Sequence, residues 1–201
     1  MIKRFIVATK NQGKLREIEE ILVDFPFEVV SMEEAGIGLE IEENGSTFEE
    51  NALIKARTVS KISGGIVMAD DSGLAVDYLD GAPGIYSSRF AGEGATDEDK
   101  NLKLLGLLEG VPREKRAARF VCAVAVVFPD GMYFTVNGTC EGYIGSKPIG
   151  ANGFGYDPLL YIPGQGKTVA ELDSDVKNAI SHRGKALRLM VEELRKGWLE
   201  V

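Results

Sequence analysis

Apolar residues change their spacing along the chain in a way that separates strands from helices. Ile6-Val7-Ala8 is a short apolar run within Met1 to Thr9 and predicts a first β-strand. It gives way to a polar turn, Thr9-Lys10-Asn11-Gln12-Gly13-Lys14, after which Leu15, Ile18, Ile21 and Leu22 recur at helical spacing. Phe27 to Val30 predicts a second strand, and Glu33 to Asn44 an acidic loop. Ser46 or Thr47 caps the next helix, with Glu49 and Glu50 placed as in a capping box. That helix passes through Asn51-Ala52-Leu53-Ile54-Lys55-Ala56 and stops near Gly64-Gly65. Ile66-Val67-Met68-Ala69 predicts a short buried strand that ends abruptly in Asp70-Asp71-Ser72-Gly73. Gly81, Pro83 and Gly84 punctuate a loop leading to Ser87-Ser88-Arg89. Thr96 starts another helix, with Leu102, Leu105 and Leu108 on its apolar side. Phe120 to Phe128 and Met132 to Tyr143 read as a long hairpin around Pro129-Asp130-Gly131. A glycine-rich loop from Gly150 to Pro158 follows, and the end is helical from Asp175 or Ser181, with Leu187, Met190, Val191 and Leu194 on one face.

Strands alternating with helices early, then a hairpin, predict an α/β fold with a mixed sheet. No internal repeat, low-complexity segment or linker divides the chain, so residues 1–201 read as one domain.

Composition narrows the function classes. The 201 residues are 44% hydrophobic and 27% charged, near the globular average, which excludes intrinsic disorder. A chain of this length buries roughly 70% of its unfolded surface and needs no staples. With 23 Lys+Arg against 31 Asp+Glu the net charge is −8, against a broad footprint for a nucleic-acid polymer but compatible with a phosphate ligand gripped by local cations. Cys122 and Cys140 are too few for a disulfide framework and lack metal-ligand spacing; Cys122, inside an apolar run, reads as a buried free thiol. No apolar stretch approaches the ~18 residues that span a membrane, and the N-terminal apolar run is shorter than a signal sequence requires. A cytoplasmic protein without membrane partners is the expectation.

Six places carry candidate chemistry. Thr9 to Lys14 joins a strand to a helix, where backbone N–H groups and a lysine suit a phosphate, although the spacing is not that of a Walker A loop and a plain surface turn is the alternative. Asp70 and Asp71 place adjacent carboxylates at a strand end, where they repel unless a cation sits there; a hard metal such as Mg²⁺ is favoured over an Asx-turn at Gly73. Glu42-Glu43 in the acidic loop either completes such a site or is simply solvated. Phe154-Gly155-Tyr156-Asp157 offers an aromatic face for a base and a carboxylate for a ring N–H, or else a packed corner, which composition alone favours. His182, the single histidine, adjoins Arg183 at a predicted helix start, and Lys177 lies five residues upstream. Lys55 adds a further cation, or a solvated helix face.

Six blocks stand in order along nearly the whole chain: Ala8 to Lys14, Thr47-Phe48-Glu49-Glu50-Asn51-Ala52, Ala69-Asp70-Asp71-Ser72-Gly73-Leu74, Gly81 to Ser87, Gly153-Phe154-Gly155-Tyr156-Asp157-Pro158, and Ser181-His182-Arg183-Gly184-Lys185-Ala186-Leu187. In these blocks the chain resembles the inosine triphosphate pyrophosphatase (ITPase) family, also described as dITP/XTP pyrophosphatases. The resemblance implies an elongated mixed sheet with flanking helices forming two lobes around a central active-site cleft, in a homodimer. It implies hydrolysis of deaminated purine nucleoside triphosphates (ITP, dITP, XTP) to the monophosphate plus pyrophosphate, which cleanses the nucleotide pool.

Residue by residue, the resemblance implies that Thr9, Lys10, Asn11, Gln12, Gly13 and Lys14 hold the triphosphate, with Lys10 standing where relatives commonly have glycine. Asp71 would bind Mg²⁺ (or Mn²⁺) and accept the proton of the attacking water. Glu42 would be the second metal carboxylate, Asp70 would support the pair and Ser72 would touch substrate. Lys55, Lys177 and Arg89 would neutralise phosphates. Phe154, with Gly155 and Tyr156, would stack on the base, Asp157 would fix its edge, and His182 and Arg183 would complete base recognition. The rival readings are a pyrophosphatase for other modified nucleotides and a catalytically silent purine-nucleotide sensor.

Overall fold

The computed structural model describes residues 4–197, so Met1 to Lys3 of the first predicted strand lie outside the described residues. In chain order the elements are β1 (Arg4–Val7), α1 (Gln12–Ile21), β2 (Glu28–Ser31), α2 (Phe48–Ser63), β3 (Ile66–Val76), α3 (Asp97–Leu107), β4 (Ala117–Val127), β5 (Tyr133–Ile144), β6 (Leu160–Tyr161), α4 (Ser174–Ile180) and α5 (His182–Arg195). The strands form one six-stranded sheet in the order β2-β1-β3-β4-β5-β6. β1 runs parallel to both β2 and β3, whereas β5 and β6 are antiparallel, so the sheet is mixed as expected.

The chain divides into two compact units. The first comprises residues up to Asp71, 122–138 and those from Arg183 onward. Its strands are buried on both faces, and alternation decides which residue goes where. Phe5, Val7, Met68, Cys122, Val124 and Val126 point to a core shared with Ile18 of α1 and Leu187, Met190 and Leu194 of α5. Ile6, Ala8, Val67, Ala69, Ala123, Ala125 and Val127 point to a second core shared with Ala52, Ala56 and Val59 of α2. The second unit, Ser72–Val121 with Thr139–His182, has its own core, in which Leu74 and Val76 pack with Leu104 of α3, the helix's C-cap Leu108, and Tyr156, Leu159 and Leu160.

Three expectations need correction. β3 does not end at Asp70; it runs eleven residues to Val76, because beyond the aspartates Leu74 and Val76 again supply buried positions at strand spacing. The Asx-turn alternative at Gly73 falls with it. The apolar side of α3 is Leu104, Leu105 and Leu108, while Leu102 is 57% exposed and Asn101 takes a buried position. The C-terminal helical stretch is two helices, with the C-cap Ser181 between them. Thr47 rather than Ser46 caps α2, its hydroxyl accepting from Glu50 N while the Glu50 carboxylate reaches back to Ser46 N at 2.7 Å.

Candidate active site

The two adjacent aspartates sit in the middle of β3, so strand alternation sends them to opposite faces of the sheet. Asp70 follows Met68 towards α1 and α5; Asp71 follows Ala69 towards α2. The premise that they crowd each other therefore fails, and each has its own partners.

Asp70 is fully buried. Its Oδ2 accepts from Arg183 Nη2 at 3.1 Å and Nε at 3.3 Å, and lies 3.1 Å from Lys14 Nζ. Burial pushes its carboxyl up, but Lys14, Arg183 and Lys55 outweigh burial and hold it far below the usual carboxylate range. The other end of the Arg183 guanidinium pairs with Glu17, which stands one turn beyond Lys14 on α1. Arg183 is 1% exposed, and its guanidinium pairs with both the Asp70 and the Glu17 carboxylates. Cys122 is buried 3.9 Å from Asp70, and burial with that negative neighbour pushes its thiol up to about 12, an inert free thiol as expected.

Asp71 faces α2. Its Oδ2 accepts from Asn51 Nδ2 at 3.1 Å, and its Oδ1 from Lys55 Nζ at 3.4 Å. Asn51 and Lys55 are four residues apart and so share one helix face. Burial, aided by the nearby Glu43 carboxylate, raises the Asp71 pKa against the opposing pull of Lys55 and Lys14. Neighbouring carboxyls pushed in opposite directions mark a division between a fixed anion and a group able to take a proton.

The acidic loop reaches this cluster through Glu43, whose Oε1 lies 3.1 Å from Lys55 Nζ, while Glu42 is exposed. Asn51 Oδ1 also accepts from Gly45 N at 2.8 Å, which ties the loop to α2. At the first turn, Asn11 caps α1 by accepting from Lys14 N at 3.0 Å, and Asn11 N donates to Thr9 Oγ1. Gln12 and Gly13 thus occupy the first helical turn, whose N–H groups have no intrahelical acceptor. Lys10 points to the surface, 3.9 Å from Glu40.

In the second unit, Phe154 to Asp157 form a turn held from within. Asp157 Oδ2 accepts from Phe154 N at 3.0 Å and from Lys177 Nζ at 2.7 Å, and Lys177 lies 5.1 Å from the Phe154 ring centroid. Lys177 thereby belongs with the aromatic loop. A Cβ on Gly153, at φ +76°, would strike Asp157 and Lys177, so glycine is required there. Tyr156 is buried in the core and donates to Ser87 O at 3.0 Å, whereas the half-buried Phe154 is no member of that core. His182 is buried with its ring stacked on Phe120, centroids 4.9 Å apart. Arg89 stacks over Tyr86.

Ser72 is followed by a tight crossing. Leu74 N donates to Ser87 Oγ at 2.9 Å, and Ser87 Oγ donates to Gly84 O at 2.6 Å. A Cβ on Gly73 would lie inside contact distance of both Ser87 Oγ and Gly84 O. Gly73→Ala is therefore expected to lower stability by about 1–3 kcal/mol and to reduce turnover by shifting Asp71 and Ser72. Gly106→Ala, in a helix with open space around the added methyl, is the control expected to melt no lower than the parent chain; parallel thermal melts and rate assays check both.

Sequence reasoning missed Glu17 and Asn51, and it preferred Glu42 to Glu43, which is the loop glutamate that meets Lys55. Asn51 was visible as a polar residue four positions before Lys55, and Glu17 as a carboxylate three positions after Lys14, but no spacing rule says which loop glutamate meets Lys55.

The chain is similar to known proteins over nearly its whole length. A 51% identical dITP/XTP pyrophosphatase of Geobacter sulfurreducens aligns over 97% of both chains. A dITP/XTP pyrophosphatase of Caldanaerobacter subterraneus subsp. tengcongensis is 54% identical over 96% of both. The structure of a HAM1 protein from Coxiella burnetii superposes with a TM-score of 0.88 at 42% identity, covering 98% of this chain and 100% of that one. The model of the Ham1 family matches residues 5–193, and the chain belongs to the Ham1 family.

Proposed function

We propose that this chain hydrolyses ITP, dITP and XTP to the nucleoside monophosphate and pyrophosphate. The observation that carries the reading is the division of the Asp70-Asp71 pair, one carboxylate held between Lys14 and Arg183 and the other turned to α2, where Asn51, Lys55 and the loop glutamate Glu43 gather around it. The names of the relatives support the substrate class. In the reaction a water oxygen forms a bond to the α-phosphorus while the bond from that phosphorus to the pyrophosphate oxygen breaks. Asp71 orients the water and accepts its proton. Lys14 and Lys55 offset the charge that gathers on the phosphate oxygens, and the first turn of α1 presents N–H groups to them. Asp70, held by Arg183, fixes the Lys14 ammonium.

The donor set suits a hard divalent cation: Asp71 and Glu43 both reach Lys55, and a cation relieves the mutual repulsion that helps raise Asp71. Asp71 with Glu43 or Glu42 would hold Mg²⁺ or Mn²⁺, which would supply charge neutralisation and a lowered water pKa. Among the described residues no group of three or more His, Cys, Asp or Glu side chains could by itself hold a metal ion, and substrate oxygens and water would fill the remaining positions of a bound cation.

The base falls to the other cluster. Phe154 stacks on the purine, and the 6-keto oxygen accepts from Lys177 or His182, donors that an adenine amino group leaves unpaired. A site built on buried hydrogen bonds discriminates by up to about 10⁴, which an apolar slot cannot reach. The same reading includes a cytoplasmic homodimer, supported by the family resemblance; among the described residues no helix is long and apolar enough to cross a membrane.

Pyrophosphate release from ITP and ATP in parallel, with Mg²⁺ and then with EDTA, tests the proposal. Metal-dependent release at least about 10²-fold faster from ITP is expected. Equal rates would discard the base assignments, and no release from either would favour a silent nucleotide sensor.

A further inference from the structure

We propose that Asp97 and Asn101 of α3 are positioning residues that set the Phe154 ring by gripping the main chain of Gly155. The inference rests on the reading of Phe154 as the base-stacking ring. Gly155 N donates to Asp97 Oδ2 at 2.6 Å, and Asn101 Nδ2 donates to Gly155 O at 3.1 Å. Both backbone groups of one residue are thus held by two side chains four positions apart, on one face of one helix. Nothing lies within 4 Å of where a Gly155 Cβ would stand, so side-chain packing at that position does not hold the segment; the grip is on the backbone.

The helix that grips is itself fixed. Thr96 and Asp99 form a capping box at its start, and Leu104 and Leu108 are fully buried in the core that also contains Tyr156. Lys100 Nζ lies 2.6 Å from Asp97 Oδ1, which leaves Oδ2 to Gly155. Asn101 is 5% exposed, and its Oδ1 has no hydrogen-bond partner among the described residues. A half-satisfied amide in a core is unfavourable where leucine would pack without penalty, so the bond to Gly155 O is what this residue type supplies. On either side of the grip the loop has other anchors, Asp157 on Phe154 N and the Tyr156 hydroxyl on Ser87 O. The Phe154 ring has its own backbone N–H tied on one side and its successor residue tied on the other.

The test compares Asp97→Ala, Asn101→Ala and the conservative Asp97→Asn with the parent chain and with Phe154→Ala. Both alanine variants are expected to raise KM for ITP about tenfold with kcat within about twofold, and to weaken inhibition by IMP alike, as loss of a charge-assisted or buried hydrogen bond would. Inhibition by pyrophosphate, which carries no base, stays unchanged. Asp97→Asn, which keeps an acceptor oxygen, restores KM. Asp97 is exposed, so its variants remain informative should Asn101→Ala fail to fold. If Phe154→Ala raises KM and the Asp97 variants do not, the positioning role is overturned. Equal weakening of IMP and pyrophosphate overturns it too, since that is general loss of structure. If Phe154→Ala itself leaves KM and IMP inhibition unchanged, the base-site reading beneath the inference has failed instead.

Discussion

Asp71→Asn is expected to lower kcat for ITP by about 10³, within the range that general-base catalysis contributes, while leaving the fold intact. The substitution keeps the size of the side chain and an oxygen for Lys55, so the packing of β3 against α2 persists. It removes the group that can take a proton, and it removes a negative charge beside Lys55 and Glu43. A melt within a few degrees of the parent, together with the lost turnover, separates chemistry from folding. Parent-like kcat would remove Asp71 from the role of base. Asn51→Leu provides a graded companion, because losing one donor to Asp71 disturbs its placement without removing the carboxylate.

Arg183→Met is expected to act in the opposite manner, on stability first. Methionine fills much of the arginine stem but leaves the Asp70 and Glu17 carboxylates facing one another in a buried site with one cation fewer. Breaking a buried pair from one side costs about 3–5 kcal/mol, and for a chain of this size that is a fall in melting temperature of roughly 10 °C or more. The double variant Arg183→Met with Glu17→Gln should recover part of the loss, because one stranded charge has gone. A thermal melt of the three proteins measures this. An unchanged melting point for Arg183→Met would show that the guanidinium does not hold Asp70.

The elements of the chain were legible because their signals are local. Thr47 before Glu50, Thr96 before Asp99 and the apolar runs of β4 and β5 each announce themselves within a few residues. The faces were harder to read. Asp70-Asp71 looks like a strand end because two carboxylates interrupt an apolar run; only the resumption at Leu74 and Val76, beyond a glycine required by Ser87 and Gly84, makes it the middle of a strand. That one register difference converts two repelling ligands into two sites on opposite faces.

Partner choice among the cations was also beyond spacing. Lys14, Lys55 and Lys177 look alike along the chain, yet two of them meet Asp70 and Asp71 while the third meets Asp157 and lies against Phe154. The glycine-rich loop offered a packed corner and a base platform as alternatives; of its two aromatics, Tyr156 belongs to the core and Phe154 does not. Leu102 illustrates the limit of helical counting, since a one-position error in the face exchanges it for Asn101, a residue that ties α3 to the Phe154 loop.

The central claim, that a water placed by Asp71 attacks the α-phosphorus, is tested most directly by hydrolysing ITP in ¹⁸O-enriched water and locating the label. The account predicts ¹⁸O in the monophosphate and none in the pyrophosphate, with the reaction all but lost in Asp71→Asn. Label in pyrophosphate, or release of inorganic phosphate as the first product, would contradict it.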